Sequence, residues 1–296
     1  MKNVSKNAKY IRWACTAALS LIAIFWLLPV AWILINSFRS NLEFLSSYAN
    51  FEGAWDYFQE IFPKEFTVGS YVSLFTGEGM STQTHMPKMI SNSLIVSISK
   101  TLISIAVCTL SAYAYERLNF PAGDKIFWAL FYIALIPSSA SMLPLFKIAN
   151  SFGWINNLNA LIWPGAGGIM SIFMMRNFMK GIPKEMDEAA TIDGAGSFRI
   201  YWEIILPSIK PVVMIQALSA FRGAWNEYLW PTIVLTDPKN QTLTSGLALL
   251  QNQLGGTQWT NLFASTIISM ILPLVLYLTC QKYFLKGISI QAAVKG

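Results

Sequence analysis

Six long runs of apolar residues are the feature that most constrains this chain of 296 residues. A helix needs about 20 residues to cross the roughly 30 Å hydrocarbon core of a bilayer. Only 12% of the residues are charged, which is too few to give one core a water-facing surface. We therefore predict an all-α integral membrane protein with six transmembrane helices, at approximately 13–38, 90–115, 126–148, 158–178, 211–235 and 262–284.

The fourth run is the least regular, because it contains Pro164, Gly165, Gly167 and Gly168. Such residues break a helix in water. Inside a helical bundle they are tolerated, since small residues let helices approach closely and neighbours satisfy the freed backbone groups.

The first run follows a basic segment and in that respect resembles a signal peptide. Its length of about 26 residues exceeds the hydrophobic region of a signal peptide, and no small-residue cleavage site follows it. We expect it to be retained as the first span.

The distribution of basic residues predicts the orientation of the spans. With the N-terminus in the cytoplasm, 14 Lys and Arg residues fall in cytoplasmic segments and 5 in external ones. Both termini are therefore expected on the cytoplasmic side of the cell membrane. The expected organisation is a cytoplasmic segment 1–12, a first span 13–38, an external loop 39–89, a core permease domain 90–284 that includes a cytoplasmic elbow at 182–210, and a cytoplasmic tail 285–296.

Several classes of function find no support in the residues. Cys15, Cys108 and Cys280 lie in separate apolar runs, and the one histidine, His85, lies in a polar loop, so neither a disulfide framework nor a metal site is expected. The net charge of +6 comes from residues that flank spans, which does not indicate nucleic-acid binding. A membrane enzyme is an unlikely alternative, since the chain has no HExxH or GxSxG segment.

The cytoplasmic segment between the fourth and fifth runs reads IPKEMDEAATIDGAGSFRIYWEIILPSIKP, from Ile182 to Pro211. Its acidic residues complement the N-terminus of a first short helix, which Gly194 and Gly196 are expected to end. Gly194 is expected to adopt a backbone conformation that other residues resist. Ser197 is expected to cap a second short helix, and Pro207 to end it. The pattern predicts a helix–turn–helix elbow on which another protein packs against the small residues Ala189 and Ala190. An acidic amphipathic helix lying on the membrane is the alternative.

This segment resembles the EAA signature of binding-protein-dependent ABC importer permeases. Glu188-Ala189-Ala190 is followed after three residues by Gly194, and after nine more by Ile204, Leu206 and Pro207. The resemblance implies that the elbow is a coupling helix in a groove of a cytoplasmic ATPase. The coupling residues it implies are Glu185, Asp187, Glu188, Ala189, Ala190, Asp193, Gly194, Ile204, Leu206 and Pro207.

Other stretches resemble the carbohydrate-uptake branch of the same family. ERLNFPAGDKIFWAL, IPSSASMLPLF, AWNEYLWPTIVL and the tail KYFLKGISIQAAVKG are similar to permeases of the maltose-transporter type, and the tail resembles that of the smaller subunit. The implied fold is the MetI-like permease fold. Around residues 43–61, the external loop is longer than we expect for the family that the chain resembles.

The resemblance also implies function and partners. The chain is expected to move a sugar inward by alternating access with a second permease subunit, two ATPase copies and an extracytoplasmic solute-binding protein. It has no GxxxxGK[ST] segment, so ATP and Mg²⁺ are expected on the partner ATPase, with no cofactor on this chain. Gly255 and Gly256 are implied to reach into the binding protein, and Val294, Lys295 and Gly296 to contact the ATPases.

Polar residues within the apolar runs indicate a translocation path, since charges in a bilayer are costly and are usually directed inward. The candidates are Lys100, Arg222, Asn226 and Glu227. Helix–helix hydrogen bonding and snorkelling remain alternatives for each of them. An ion-gradient-driven secondary transporter is the second reading, although no inverted repeat is visible.

Overall fold

The computed structural model describes residues 6–49, 61–77, 86–118, 120–253 and 258–294. Within these ranges all regular secondary structure is helical and no strand occurs, which confirms the predicted all-α class. The helices form two compact units, one of residues 1–81 with 249–270 and one of residues 82–248 with 271–296.

The described helices follow one another in a fixed order along the chain. They are α1 (Lys6–Asn36), α2 (Asn41–Ala49), α3 (Gly69–Thr76), α4 (Met86–Arg117), α5 (Gly123–Ile133), α6 (Met142–Ser151), α7 (Asn159–Ile162), α8 (Ile169–Lys180), α9 (Glu185–Ile192), α10 (Ser197–Ser208), α11 (Lys210–Trp225), α12 (Leu229–Val234), α13 (Leu243–Gln253) and α14 (Trp259–Val294). One-turn 3₁₀ helices cover Ser138–Ser141 and Pro238–Asn240.

Three helices of the described chain are long and apolar enough to cross a membrane alone, namely those over Ala8–Asn36, Met86–Arg117 and Trp259–Gln281. Two bent helix pairs raise the number of candidate spans to five if each pair forms one span. The predicted count of six stays a prediction.

Three of the predicted spans are interrupted in the structure. The run at 126–148 bends by 93° between α5 and the segment that begins at Ser138. The run at 158–178 is divided into α7 and α8 by the turns around Pro164 and Gly165. The run at 211–235 is divided at residues 226–228, between α11 and α12. Because proline cannot donate a backbone hydrogen bond, Pro137 and Pro164 account for two of these breaks.

The first unit joins the end of α1 to the short helices of the external loop. The rings of Trp32, Phe44 and Phe263 pack edge to face, with centroids 5.2 to 6.2 Å apart. Arg39, which is fully buried, pairs with Glu43 at 3.3 Å. These contacts pack α2 against α1 and α14.

The second unit has a core in which α4, α8, α10 and α11 meet. Its buried residues include Cys108 and Ala112 of α4, Met175 of α8, and Ile205 and Val212. This packing holds the loop after α8 against one end of the bundle, and that loop contains the predicted elbow.

Two tryptophans of the second unit are buried. Tryptophan is enriched at membrane interfaces, but neither Trp225 nor Trp230 is exposed there. The indole nitrogen of Trp230 donates a hydrogen bond to the carbonyl of Ala160, at 2.8 Å. That buried partner satisfies the polar atom that an interfacial tryptophan directs to water.

Candidate functional site

The predicted elbow consists of α9, a tight turn and α10. The N-terminal turn of α9 contains Glu185, Asp187 and Glu188, whose charges suit the positive end of the helix dipole. Pro183 lies two residues before this helix and Lys184 at its N-cap. The predicted first helix is therefore confirmed, with its start at Glu185.

Gly194 ends α9 in a Schellman motif. Its φ of +81° is in the left-handed region. Its amide donates to the Thr191 carbonyl, and the Ala195 amide donates to the Ala190 carbonyl at 2.9 Å. Ala190 and Ala195 both pack against the core, which supplies the apolar contact usual in this motif. The expected special backbone at Gly194 is confirmed.

Gly196 and Pro207, which were predicted to end the two short helices, behave differently. Gly196, in an extended conformation, lies at the N-cap of α10, so Ser197 is the first helical residue and makes no side-chain cap. Pro207 lies inside α10, after a widened π turn at Tyr201–Ile205. The widened turn accommodates the proline ring, which clashes with a carbonyl of a regular preceding turn. The helix ends at Ser208 instead, and the chain bends by 80° at the C-cap Ile209 into α11.

The elbow is attached to the bundle by polar contacts as well as by packing. The Tyr113 hydroxyl of α4 donates to the Ser197 carbonyl at 2.9 Å. The hydroxyls of Tyr201 and Thr109 are 2.8 Å apart. Arg117, at the end of α4, pairs with Asp187 of α9 at 3.3 Å. Both short helices are thus held by the same long helix of the bundle.

The predicted coupling residues divide between two faces. Glu185, Glu188, Ala189, Asp193 and Gly194 are exposed. Ala190, Ile204 and Leu206 pack against the core, and Asp187 faces Arg117. The expected smooth face of paired alanines therefore has only Ala189 on its outer side.

Apolar residues of the exposed face were missed by the sequence reasoning. Ile192 is 86% exposed, Phe198 70% and Trp202 60%, and Met186 is also exposed. The rings of Phe198 and Trp202 stack with centroids 6.5 Å apart. Their i, i+4 spacing was the available signal. We call the exposed set Met186, Ile192, Phe198 and Trp202 the apolar elbow face.

Acidic and apolar residues share the outer side of α9. Glu185, Glu188 and Ile192 recur at helical spacing and are all exposed. A helix that lies on a membrane separates its apolar and charged faces, and carboxylates are repelled by anionic lipid. The arrangement fits a protein partner with basic and apolar groups better than a lipid surface.

The candidate path residues lie on α4 and around the end of α11. Lys100 is half-buried and within Coulombic range of Glu227, which lies in the break before α12. Arg222 and Asn226 are exposed together with Ser219 and Gly223, so these four residues form one polar stripe on α11. Gln216, three residues before Ser219 on the same helix, is buried.

The two remaining sets of site residues, those expected to contact the binding protein and the tail expected to contact the ATPases, lie mostly outside the described residues. Gly255, Gly256, Lys295 and Gly296 lie outside the described residues, and Val294 is the last residue of α14.

The fold and the elbow are those of a membrane transport component. Comparison with known proteins identifies its family. Residues 107–290 match the family described as the inner membrane component of binding-protein-dependent transport systems. This match covers more than half of the chain, including the elbow, and the chain belongs to that family. It is a family of transport components, which disfavours the membrane-enzyme alternative.

Characterised relatives of the chain are permease proteins. It is 29% identical to the trehalose/maltose transport system permease protein MalG of Thermococcus litoralis, over 93% of this chain and 94% of that protein. It is 27% identical to the arabinooligosaccharides transport system permease protein AraQ of Halalkalibacterium halodurans, over 98% and 99% of the two chains. It is 31% identical to the sn-glycerol-3-phosphate transport system permease protein UgpE of Yersinia pestis, over 68% and 72%.

A solved structure has the same fold. A chain of a bacterial ABC transporter that imports the acidic polysaccharide alginate superposes with a TM-score of 0.77, at 19% identity, over 96% of this chain and 100% of that one. The likeness supports the permease fold that the sequence predicted.

Proposed function

We propose that this chain is one of two transmembrane subunits of an ATP-driven importer for a sugar or oligosaccharide. The observation that carries the proposal is the elbow, an ordered helix–turn–helix with an exposed apolar and acidic face at one end of the bundle. Relatives named for trehalose/maltose and arabinooligosaccharide transport support the substrate class.

In this proposal, separate ATPase subunits hold ATP and Mg²⁺ and bind the elbow from the cytoplasm. Both termini are cytoplasmic, and six spans cross the cell membrane, with the bent pair α5–α6 and the broken pairs α7–α8 and α11–α12 each counted as one. Closure of the ATPases moves the elbow and switches the path between outward and inward access. A solute-binding protein delivers the sugar from outside.

A second permease subunit follows from the exposed breaks in the spans. Residues 134–140, which contain the bend between α5 and α6, are exposed throughout. Irregular backbone at membrane depth is tolerated only where protein covers it or where it lines a water-filled cavity. The exposed charge of Arg222 on α11 likewise needs to be covered by protein or to line a water-filled cavity. A partner that encloses these surfaces with a polar path between the two chains meets both requirements.

Transport by reconstituted vesicles tests the proposal. The chain is co-expressed with the second permease subunit, the ATPase and the binding protein that the proposal requires, and uptake of labelled maltose, trehalose and arabinooligosaccharides is measured. We expect uptake that requires the binding protein outside and ATP on the ATPase side, and that an ionophore does not affect. Uptake that is driven by an ion gradient without ATP would instead support a secondary transporter.

A further inference from the structure

Arg117 is a buried cation at the point where three helices of the second unit meet. It is the last residue of α4, and its side chain is 4% exposed. Its Nη2 donates to the carbonyls of Met179 and Ile182, at 2.9 and 2.7 Å. Met179 lies in the last turn of α8 and Ile182 just beyond it, where a positive charge is favoured by the helix dipole. The guanidinium therefore fixes the end of α8 to the end of α4.

The other side of the same guanidinium faces the elbow. Arg117 Nε is 3.3 Å from Asp187 Oδ2 of α9. In the part of the chain that the structure describes, neither this Nε nor Asp187 Oδ1 has a hydrogen-bond partner. The pair is thus held by charge without an aligned hydrogen bond. In a site of low dielectric constant, such a pair responds strongly to a small displacement of either partner.

Asp187 is partly buried, and its direction on α9 differs by about 100° from that of the exposed Glu188. A partner that binds the outer side of the elbow does not need to contact Asp187. The small side chains of Ala190 in α9 and Ala195 in its turn also pack against the core. Arg117–Asp187 is the ion pair that joins α9 to the described bundle.

A neighbouring ion cluster provides a comparison within the same structure. Glu116, next to Arg117, pairs with Arg176 of α8 at 2.9 Å, and Arg176 pairs with Asp124 of α5 at 2.6 Å. This cluster lies at the same end of α4 and is also partly buried. It joins α4, α5 and α8 but includes no residue of α9.

We propose that Arg117 is a positioning residue that transmits displacement of the elbow to α4 and α8 through Asp187. This inference rests on the proposed function. The apolar elbow face binds the ATPase, while the Arg117–Asp187 pair makes the bundle follow the movement of α9. Without the pair, α9 moves with the ATPase against two alanines and the bundle lags behind. ATP is then hydrolysed without a matching amount of sugar moved.

The test compares Arg117→Gln with Glu116→Gln in the complete transporter in vesicles. The readouts are assembly of the complex, ATP hydrolysis and sugar uptake in one preparation. For Arg117→Gln we expect normal assembly, hydrolysis within about twofold of the unsubstituted protein, and about tenfold more ATP consumed per sugar. Glu116→Gln removes an ion pair from the same helix end and is expected to leave that ratio unchanged.

A second variant distinguishes a loss of coupling from misfolding of the Arg117→Gln protein. Asp187→Asn keeps the size of the side chain and the Arg117 contacts to α8, and it should raise the ratio of ATP to sugar like Arg117→Gln. Arg117→Lys keeps the charge and should restore part of the coupling. The inference is overturned if Glu116→Gln raises the ratio equally, if Asp187→Asn leaves it unchanged, or if both Arg117→Gln and Asp187→Asn prevent assembly. Failure of the proposed function is distinguishable, because the unsubstituted protein would then show no ATP-dependent uptake.

Discussion

At the scale of single residues, the glycines of the elbow show what spacing can and cannot predict. Gly194 was expected to have a backbone that other residues resist, and it has a φ of +81°. Gly196 was expected to act with it as a helix stop, but it is extended, with φ −74° and ψ 161°. The sequence cannot separate these roles, because both glycines follow the last helical residue and both stop signals look alike.

Gly194→Val tests the left-handed position, with Gly196→Val as its matched control. A Cβ meets nothing within 4 Å at either glycine, so crowding does not distinguish them. A left-handed conformation costs an L-residue about 1–2 kcal/mol, and more for a β-branched one. We expect Gly194→Val to abolish sugar uptake while its level in the membrane stays normal, and Gly196→Val to transport at nearly the normal rate. Equal uptake by the two variants would contradict a role for this turn.

At the scale of elements, the apolar runs predicted where helices lie but not where they break. Hydropathy favours residues 126–148 and 211–235 as continuous spans, yet the chain bends at 134–137 and stops being helical at 226–228. Pro137 indicates the first break. The second contains no proline itself, but Pro231 follows Glu227 by four residues and cannot donate to its carbonyl, so a proline disfavours a continuous helix there as well.

The sequence alone also did not show which residues of the elbow face the core and which face outward. The spacing of Glu188, Ala189 and Ala190 fixed the family resemblance, but adjacent residues on a helix point in different directions. Ala190 therefore faces the core and Ala189 the outside. The signature spacing carries no information about which member contacts the partner.

Trp202→Ala tests whether the apolar elbow face binds the ATPase. Aromatic side chains at the centre of an interface contribute about 2 kcal/mol or more to binding. We therefore expect Trp202→Ala to weaken ATPase binding to the purified permease pair by about tenfold or more. Trp128→Ala is the control, since Trp128 is 44% exposed, lies on α5 and belongs to no part of the elbow. Binding that is weakened equally by both substitutions would indicate general destabilisation rather than a docking surface.

At the scale of the whole molecule, composition and the distribution of charge predict a helical membrane protein with a definite orientation. The helical class is confirmed, and the family describes an inner membrane component. The orientation rests on the excess of basic residues in the expected cytoplasmic segments, and it assigns the elbow and the segment after α12 to opposite sides of the membrane.

Cysteine labelling tests this orientation in cells. In a background without Cys15, Cys108 and Cys280, one variant carries Ile192→Cys and the other Lys239→Cys. Ile192 is 86% exposed on the elbow, and Lys239 is exposed in the segment after α12, with the expected fifth span between them. A membrane-impermeant maleimide should label Lys239→Cys in intact spheroplasts and Ile192→Cys only after permeabilisation. Because a cytoplasmic ATPase reaches only the inner face, labelling of Ile192→Cys in intact spheroplasts would exclude the elbow as the coupling element.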